Sequence, residues 1–253
     1  MKLLVLAAGY ATRLRPLTDN QAKPLLPVRG RPMIDHVLDK FHGCAAIDAV
    51  YVVSNSRFAP QFEDWAQTVP EQHPGCGWQV RVFDDGTRSN EDRLGAIGDI
   101  HFVLNAAPID DDLIVVAGDN LFSQPLVSYV AAAQRQGILI GVYDVGNLEL
   151  IKQYNNIALA PDPTAGEGAE RITFFEEKPT QPVSTLTAIA LYHYPRRALP
   201  LIRQYIAEGN NPDQPGRLVQ WLVPRTPCYA YRISGLWLDI GSKESYEEAQ
   251  RLL

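Results

Sequence analysis

Residues 6–28 carry the types and spacing that could act on a polyphosphate. They read Leu6-Ala7-Ala8-Gly9-Tyr10-Ala11-Thr12-Arg13-Leu14-Arg15-Pro16-Leu17-Thr18 and, after a short gap, Lys23-Pro24-Leu25-Leu26-Pro27-Val28. Gly9 leaves the chain free to turn sharply and keeps bulk away from an approaching ligand. Amide N–H groups in such a turn can face a phosphate. Arg13 carries a planar fork of donors suited to phosphate oxygens, and Lys23 a compact, mobile cation for the same anion. Taken singly, these residues are equally an ordinary strand and loop with solvated cations. A run this long and this specific favours a nucleoside triphosphate site.

Carboxylates stand at three other places. Leu113–Ala117 is apolar and ends in Gly118-Asp119-Asn120; far downstream lies Gly235-Leu236-Trp237-Leu238-Asp239-Ile240-Gly241. An aspartate just beyond a buried strand, beside a glycine that permits close approach, can hold a Mg²⁺ carrying triphosphate oxygens. Alone, each is as well read as a turn or capping residue. Glu176-Glu177-Lys178-Pro179 closes another strand-like run. There a carboxylate can accept from two hydroxyls and an ammonium can hold a phosphate, although an exposed charged turn is the ordinary fate of such a sequence. Asp110–Asp112 reads as a solvated turn. The five histidines are scattered, and Cys44, Cys76 and Cys228 are odd in number and far apart. They give no zinc spacing and no disulfide framework, as in a reducing cytosol.

These groups need elements to position them. Strand-like runs fall at Leu3–Ala7, Ala49–Ser54, Trp78–Phe83, Leu113–Ala117, Ile138–Tyr143, Thr187–His193 and Cys228–Ile233. Helix-period segments fall at Pro32–Phe41, Pro60–Thr68, Leu94–Asn105, Pro125–Gln136, Ala198–Glu208, Arg217–Val223 and Ser242–Leu252. The alternation predicts an α/β fold, Rossmann-like in its three α/β/α layers, with a mostly parallel central sheet. Ligands in such sheets bind outside the carboxyl ends of the strands, where the first motif lies. Residues 154–193 break the pattern. Tyr154–Ala160, Glu170–Phe175 and Thr187–His193 read as strands without helices between them, a small antiparallel insertion suited to a sugar-binding lobe. The expectation is one domain over 1–253, with 1–145 mainly nucleotide-binding, 146–241 mainly sugar-binding and 242–253 a C-terminal helix.

Composition narrows the partners. A net charge of −6 argues against non-specific nucleic-acid binding, so anions must be met by local cations. The first apolar run is shorter than a signal peptide needs, and Arg13 and Arg15 follow at once. No stretch approaches the ~18 apolar residues of a membrane helix. A cytoplasmic protein is expected, with no nucleic-acid or membrane partner and with homo-oligomers left open. Gly-Lys-[Ser/Thr] is missing, so the first motif is not a Walker loop. It also lacks the third glycine of a dinucleotide fingerprint.

Taken in order, the four motifs resemble those of the sugar-1-phosphate nucleotidyltransferases, the family of glucose-1-phosphate thymidylyl- and uridylyltransferases. Its entry pattern is roughly L-A-x-G-x-G-T-R-L-x-P-L-T followed by K-P-L-x-P-V, and Ala11 replaces the second glycine. The resemblance implies Mg²⁺-dependent transfer of a nucleotidyl group from an NTP to a sugar 1-phosphate, with release of pyrophosphate. It implies that Leu6, Ala8 and Gly9 contact the nucleotide, that Arg13 and Lys23 are catalytic, and that Asp119 and Asp239 hold the metal. On the sugar side it implies Glu177 on hydroxyls and Lys178 on the phosphate, with Asn155 and Trp237 alongside. Base reading falls to Gly95 and, counting back, Asn90; with the overall likeness this favours dTTP or UTP.

Two elements depart from the family. Gln153-Tyr154-Asn155 stands where Arg-Tyr-Gly is usual, so Asn155 crowds a normally bare position. Pro215-Gly216-Arg217 replaces Arg-Gly-Glu, leaving Arg217 as a stand-in for a phosphate arginine. A nucleotidyltransferase for a non-sugar phosphate and a non-catalytic sugar-nucleotide sensor are the alternatives. No hexapeptide periodicity follows the last motif, so neither a fused acyltransferase nor a helical extension is expected.

Overall fold

Strand-forming runs rich in Val, Ile and Leu alternate with helices along most of the chain, except over residues 155–194, where three strands follow one another without an α-helix between them. The computed structural model describes residues 1–252. β1 (Lys2–Leu6) leads through two 3-10 turns, Thr12–Leu14 and Lys23–Leu25, to a tight hairpin of β2 (Pro27–Val28) and β3 (Arg31–Pro32). There follow α1 (Met33–Asp39), β4 (Ala49–Ser54), α2 (Ala59–Gln72), β5 (Gln79–Asp84), α3 (Ala96–Ala106), β6 (Leu113–Ala117), β7 (Asn120–Phe122), α4 (Val127–Ala133) and β8 (Ile138–Asp144). The rest comprises α5 (Leu148–Ile151), β9 (Asn155–Pro161), β10 (Glu170–Glu177), β11 (Leu186–Tyr194), α6 (Leu199–Ala207), α7 (Pro215–Leu222), β12 (Cys228–Arg232), β13 (Trp237–Asp239) and α8 (Lys243–Leu252).

Nine strands form one sheet in the order β5-β4-β1-β6-β11-β8-β12-β10-β9. The first four are parallel, with Leu3 of β1 opposite Val50 on one side and Ile114 on the other. Alternate side chains of these strands feed two cores. Leu3, Val5, Val52 and Val116 pack under α1, α2 and α4, whereas Leu4, Val53 and Val115 pack under α3, α6 and α7. Burial on both faces is what makes these strands apolar throughout, and it gives the three layers expected from the alternation.

β11 takes a different place from the one expected. It does not sit in a peripheral insertion; it lies in mid-sheet, antiparallel to both β6 and β8. Only β9 and β10 form the antiparallel edge, attached through β12. The reason is burial: Ile189, Leu191, Tyr192 and Tyr194 are all inside, on both faces of the strand. The pairing of β11 with β8 slips between Ala188 and Tyr192, which bends the strand where it borders the cleft described below.

Short elements do the final positioning. β13 pairs with β7, setting Asp239 opposite Asn120 and therefore next to Asp119. α8 closes over the β2–β3 hairpin, where the Pro27 carbonyl accepts from Tyr246 Oη at 2.6 Å and Gln250 Nε2 at 2.7 Å. The Asp110–Asp112 turn is solvated as expected, with Asp110 exposed, and it is also bonded to the chain: Asp112 accepts from the Arg196 N–H at 2.8 Å, and Asp110 pairs with the exposed Arg196 guanidinium at 2.5 Å. Among the described residues no helix is long and apolar enough to cross a membrane.

Candidate active site

A cleft of about 760 Å³ opens at the carboxyl ends of β1 and β6 and runs to the end of β10. Arg13, Lys23, Asp119, Asp239, Glu177, Lys178, Trp237, Asn155, Asn90 and Gly95 all line it, together with Leu6, Ala8 and Gly9. Residues separated by most of the chain therefore line one cleft.

At the first end, the sharp turn after β1 falls at Ala11 and not at Gly9. Ala11 has φ 46° and ψ 42°, the left-handed region, which costs a non-glycine residue about 1 kcal/mol. Its carbonyl accepts from Thr18 Oγ1 at 2.9 Å and from the Leu14 N–H at 3.0 Å, which holds the turn. The following 3-10 turn delivers Arg13 to the cleft. A methyl built on Gly241 would lie 3.7 Å from Arg13 Nη2 and 3.8 Å from Asp239 Oδ2, so the guanidinium and this carboxylate are neighbours. Lys23 forms an ion pair with Asp119, and the Asp119 carbonyl accepts from the Ile240 N–H at 3.3 Å. Burial and the charge of Asp119 push the Asp239 carboxyl up to about 6, against the opposite pull of Lys23 and Arg13. Two carboxylates crowded against each other form an all-oxygen donor set, which suits a hard divalent cation.

At the far end, Lys178 is also left-handed, with φ 51°. Its N–H donates to the Tyr154 carbonyl at 2.8 Å, which fixes this unfavourable conformation immediately before a proline. Glu177 lies against the first turn of α7, where any side chain larger than that of Gly216 would collide with its carboxyl. Glu177 Oε2 is buried with no partner, and burial pushes the carboxyl up to about 7, opposed by Lys178 and Arg217. Trp237 packs edgewise on Tyr154 and tilted on Tyr143, with its indole N–H likewise buried and unpartnered. A lone acceptor and a lone donor inside one cleft suit a hydroxyl-rich ligand. The Asn155 amide, by contrast, is already engaged. It donates to the Ala188 carbonyl at 3.0 Å and accepts from the Ala188 N–H at 2.7 Å and Thr187 Oγ1 at 3.1 Å. What Asn155 offers a ligand is bulk. Arg217 bonds Gln214 at 2.5 Å and does not contribute to the cleft wall.

Between these ends, Gly95 opens α3 with φ 81°, and a methyl there would come within 2.6 Å of Asp213 Cα; only glycine fits. Asn90 stands on the same wall, in a loop folded by Asp92 accepting from the Arg88 and Ser89 N–H groups. Three charged residues here escaped the sequence reading. Asp85 and Asp99 are buried at the cleft, and Asp85 Oδ1 accepts from the Thr87 N–H and hydroxyl at 2.7 Å each. Asp85 Oδ2 and Asp99 Oδ1 have no partner. Burial and the neighbouring Asp85 push the Asp99 carboxyl up to about 8, so the pair carries a proton at neutral pH. Arg93 pairs with Asp213 at 3.1 Å on the rim. In the sequence, Asp99 reads as an ordinary acidic residue in a first helical turn, and its pairing with Asp85 exists only after folding.

Comparison with known proteins agrees with this architecture. The chain is 28% identical to the UTP–glucose-1-phosphate uridylyltransferase of Synechocystis sp., over 99% of this chain and 63% of that protein. It is 28% identical to the glucose-1-phosphate thymidylyltransferase of Streptomyces griseus, over 100% of this chain and 66% of that one. The chain thus spans less than two thirds of the length of these curated relatives. The crystal structure of a UDP-glucose pyrophosphorylase complexed with UDP-glucose superposes with a TM-score of 0.81 at 22% identity, covering 99% of this chain and 97% of the other; it shares the fold. The model of the family described as nucleotidyl transferase matches residues 2–253, and the chain belongs to that family.

Proposed function

We propose that this protein is a Mg²⁺-dependent sugar-1-phosphate nucleotidyltransferase: an NTP and a sugar 1-phosphate give an NDP-sugar and pyrophosphate. The observation that carries the reading is one cleft with a cation-and-carboxylate end and a separate end bearing Lys178 beside an unpartnered Glu177. Such a cleft can hold two anions with their reacting phosphates facing each other. The sugar phosphate oxygen attacks the α-phosphorus in line and pyrophosphate leaves from the opposite side. The protein's part is to position two polyanions and to offset their charge.

Arg13 would hold the triphosphate and the charge that develops on it. Lys23 would exchange Asp119 for the α-phosphate, and Lys178 would hold the sugar phosphate. Glu177 would accept from sugar hydroxyls. Asp119 and Asp239 would hold the Mg²⁺, which when bound neutralises phosphate oxygens. Asn90 and Gly95 would meet the base. With the uridylyl- and thymidylyltransferase names among the relatives, this favours UTP or dTTP as nucleotide and makes glucose 1-phosphate the first acceptor to test. The cytoplasm, which holds such substrates, is the proposed compartment.

The test is pyrophosphate release from five NTPs, each against a panel of sugar 1-phosphates, with Mg²⁺. Release that requires both substrates, fastest with UTP or dTTP, is expected. Faster release with ATP or GTP would overturn the choice of base and leave the reaction class standing. No release from any pair would overturn the reaction itself.

A further inference from the structure

Away from the cleft, the end of α1 meets the end of α2. Three side chains converge there, Asp39 and His42 from neighbouring positions and His73 from 31 residues beyond His42. His42 Nε2 lies 2.8 Å from His73 Nδ1, and Asp39 Oδ1 lies 3.3 Å from His73 Nδ1 and 3.7 Å from His42 Nε2. A tetrahedral ion bound at 2.0–2.1 Å holds its donors about 3.3 Å apart. The Asp39–His73 pair already has that separation, whereas the two imidazoles share a 2.8 Å hydrogen bond that an ion would open by about 0.5 Å, and the 3.7 Å Asp39–His42 gap would close by a similar amount. We propose that Asp39, His42 and His73 form a binding site for a divalent transition-metal ion of the zinc type.

The surroundings are built for that task. His73 is fully buried, and its other nitrogen, Nε2, lies 3.3 Å from Asp35 Oδ1. Asp35 is itself buried and accepts from Trp65 Nε1 at 2.9 Å. A carboxylate on the remote ring nitrogen keeps the proton there and turns the Nδ1 lone pair towards the shared point, the arrangement that orients metal-binding imidazoles. Arg31 grips the Asp39 carboxylate at 2.8 and 3.3 Å and sets its direction. The Trp78 ring packs at 5.7 Å from both imidazoles. His42 is 39% exposed, which gives an ion a way in. Beside His73 lies a cavity of about 320 Å³ with Cys76 on its wall; the Cys76 thiol is not among the ligand atoms that converge on the shared point. Two imidazoles and a carboxylate select zinc or cobalt over magnesium. The ion would tie α1 to the loop between α2 and β5. None of the three ligands lines the cleft.

Titration of the metal-stripped protein with Co²⁺ tests this, because tetrahedral nitrogen ligation gives an intense visible band that all-oxygen octahedral sites lack. One equivalent should develop the band, Zn²⁺ should abolish it, and excess Zn²⁺ should raise Tm by roughly 5 °C at a hundredfold excess over Kd. His42→Ala, at a part-exposed position, should keep the fold by circular dichroism and weaken binding at least tenfold. Asp239→Asn, in the cleft, should keep the band. The proposal is overturned if wild type binds no Co²⁺ at tens of micromolar, if His42→Ala binds as well as wild type, or if Asp239→Asn loses the band instead.

Discussion

Glu177 is a carboxyl in surroundings that disfavour its charge, titrating near 7 where 4.5 is ordinary. Between those values the folded protein keeps a proton that the unfolded chain has lost. The contribution of Glu177 to stability therefore falls as pH rises from about 4.5 to about 7 and is flat beyond. Glu177→Gln removes that penalty. The variant should melt above wild type at pH 8 and level with it at pH 4, while its KM for the sugar phosphate rises; a melting difference independent of pH would show that burial is not the cause. Asp239 follows the same logic at the proposed metal end. Asp239→Asn relieves repulsion from Asp119, so Tm should hold or rise while turnover falls by about 10²-fold or more. Near-normal turnover in the folded variant would remove Asp239 from the metal site.

At the scale of elements, Asn155 is the strut between β9 and β11. Asn155→Ala leaves the Ala188 N–H without its side-chain partner and the Ala188 carbonyl with only the weaker bond from Thr187 Oγ1 at 3.3 Å. A loss of about 2–3 kcal/mol in denaturant melts is expected; a loss below about 0.5 kcal/mol would show that the strands hold without it. The elements also show what the sequence could and could not say. β4 and β6 fall on the residues expected, because each is an unbroken apolar run buried on both faces. β7 and β13 are three residues each, too short for any periodicity, yet their pairing sets Asp239 beside Asp119. The likeness of the motifs pointed to both carboxylates; only the hairpin-like pairing explains their meeting. β11 was legible as a strand but not as the mid-sheet strand, since strand order is a property of packing. Asp85 with Asp99, and His42 with His73, were not legible at all: nothing in their spacing distinguishes them from solvated residues.

Over the whole molecule, the proposed function divides one cleft: nucleotide at the ends of β1 and β6, sugar phosphate at the end of β10. The most direct measurement of that division is the pair of KM values for Lys178→Ala, taken with the best substrate pair from the pyrophosphate assay. Losing a charge-assisted contact worth about 1.5–3 kcal/mol should raise KM for the sugar 1-phosphate by roughly 10- to 150-fold, with KM for the NTP changed less than about twofold. An equal rise in KM for the NTP, or no change in either, would contradict the division and with it the placement of the two substrates.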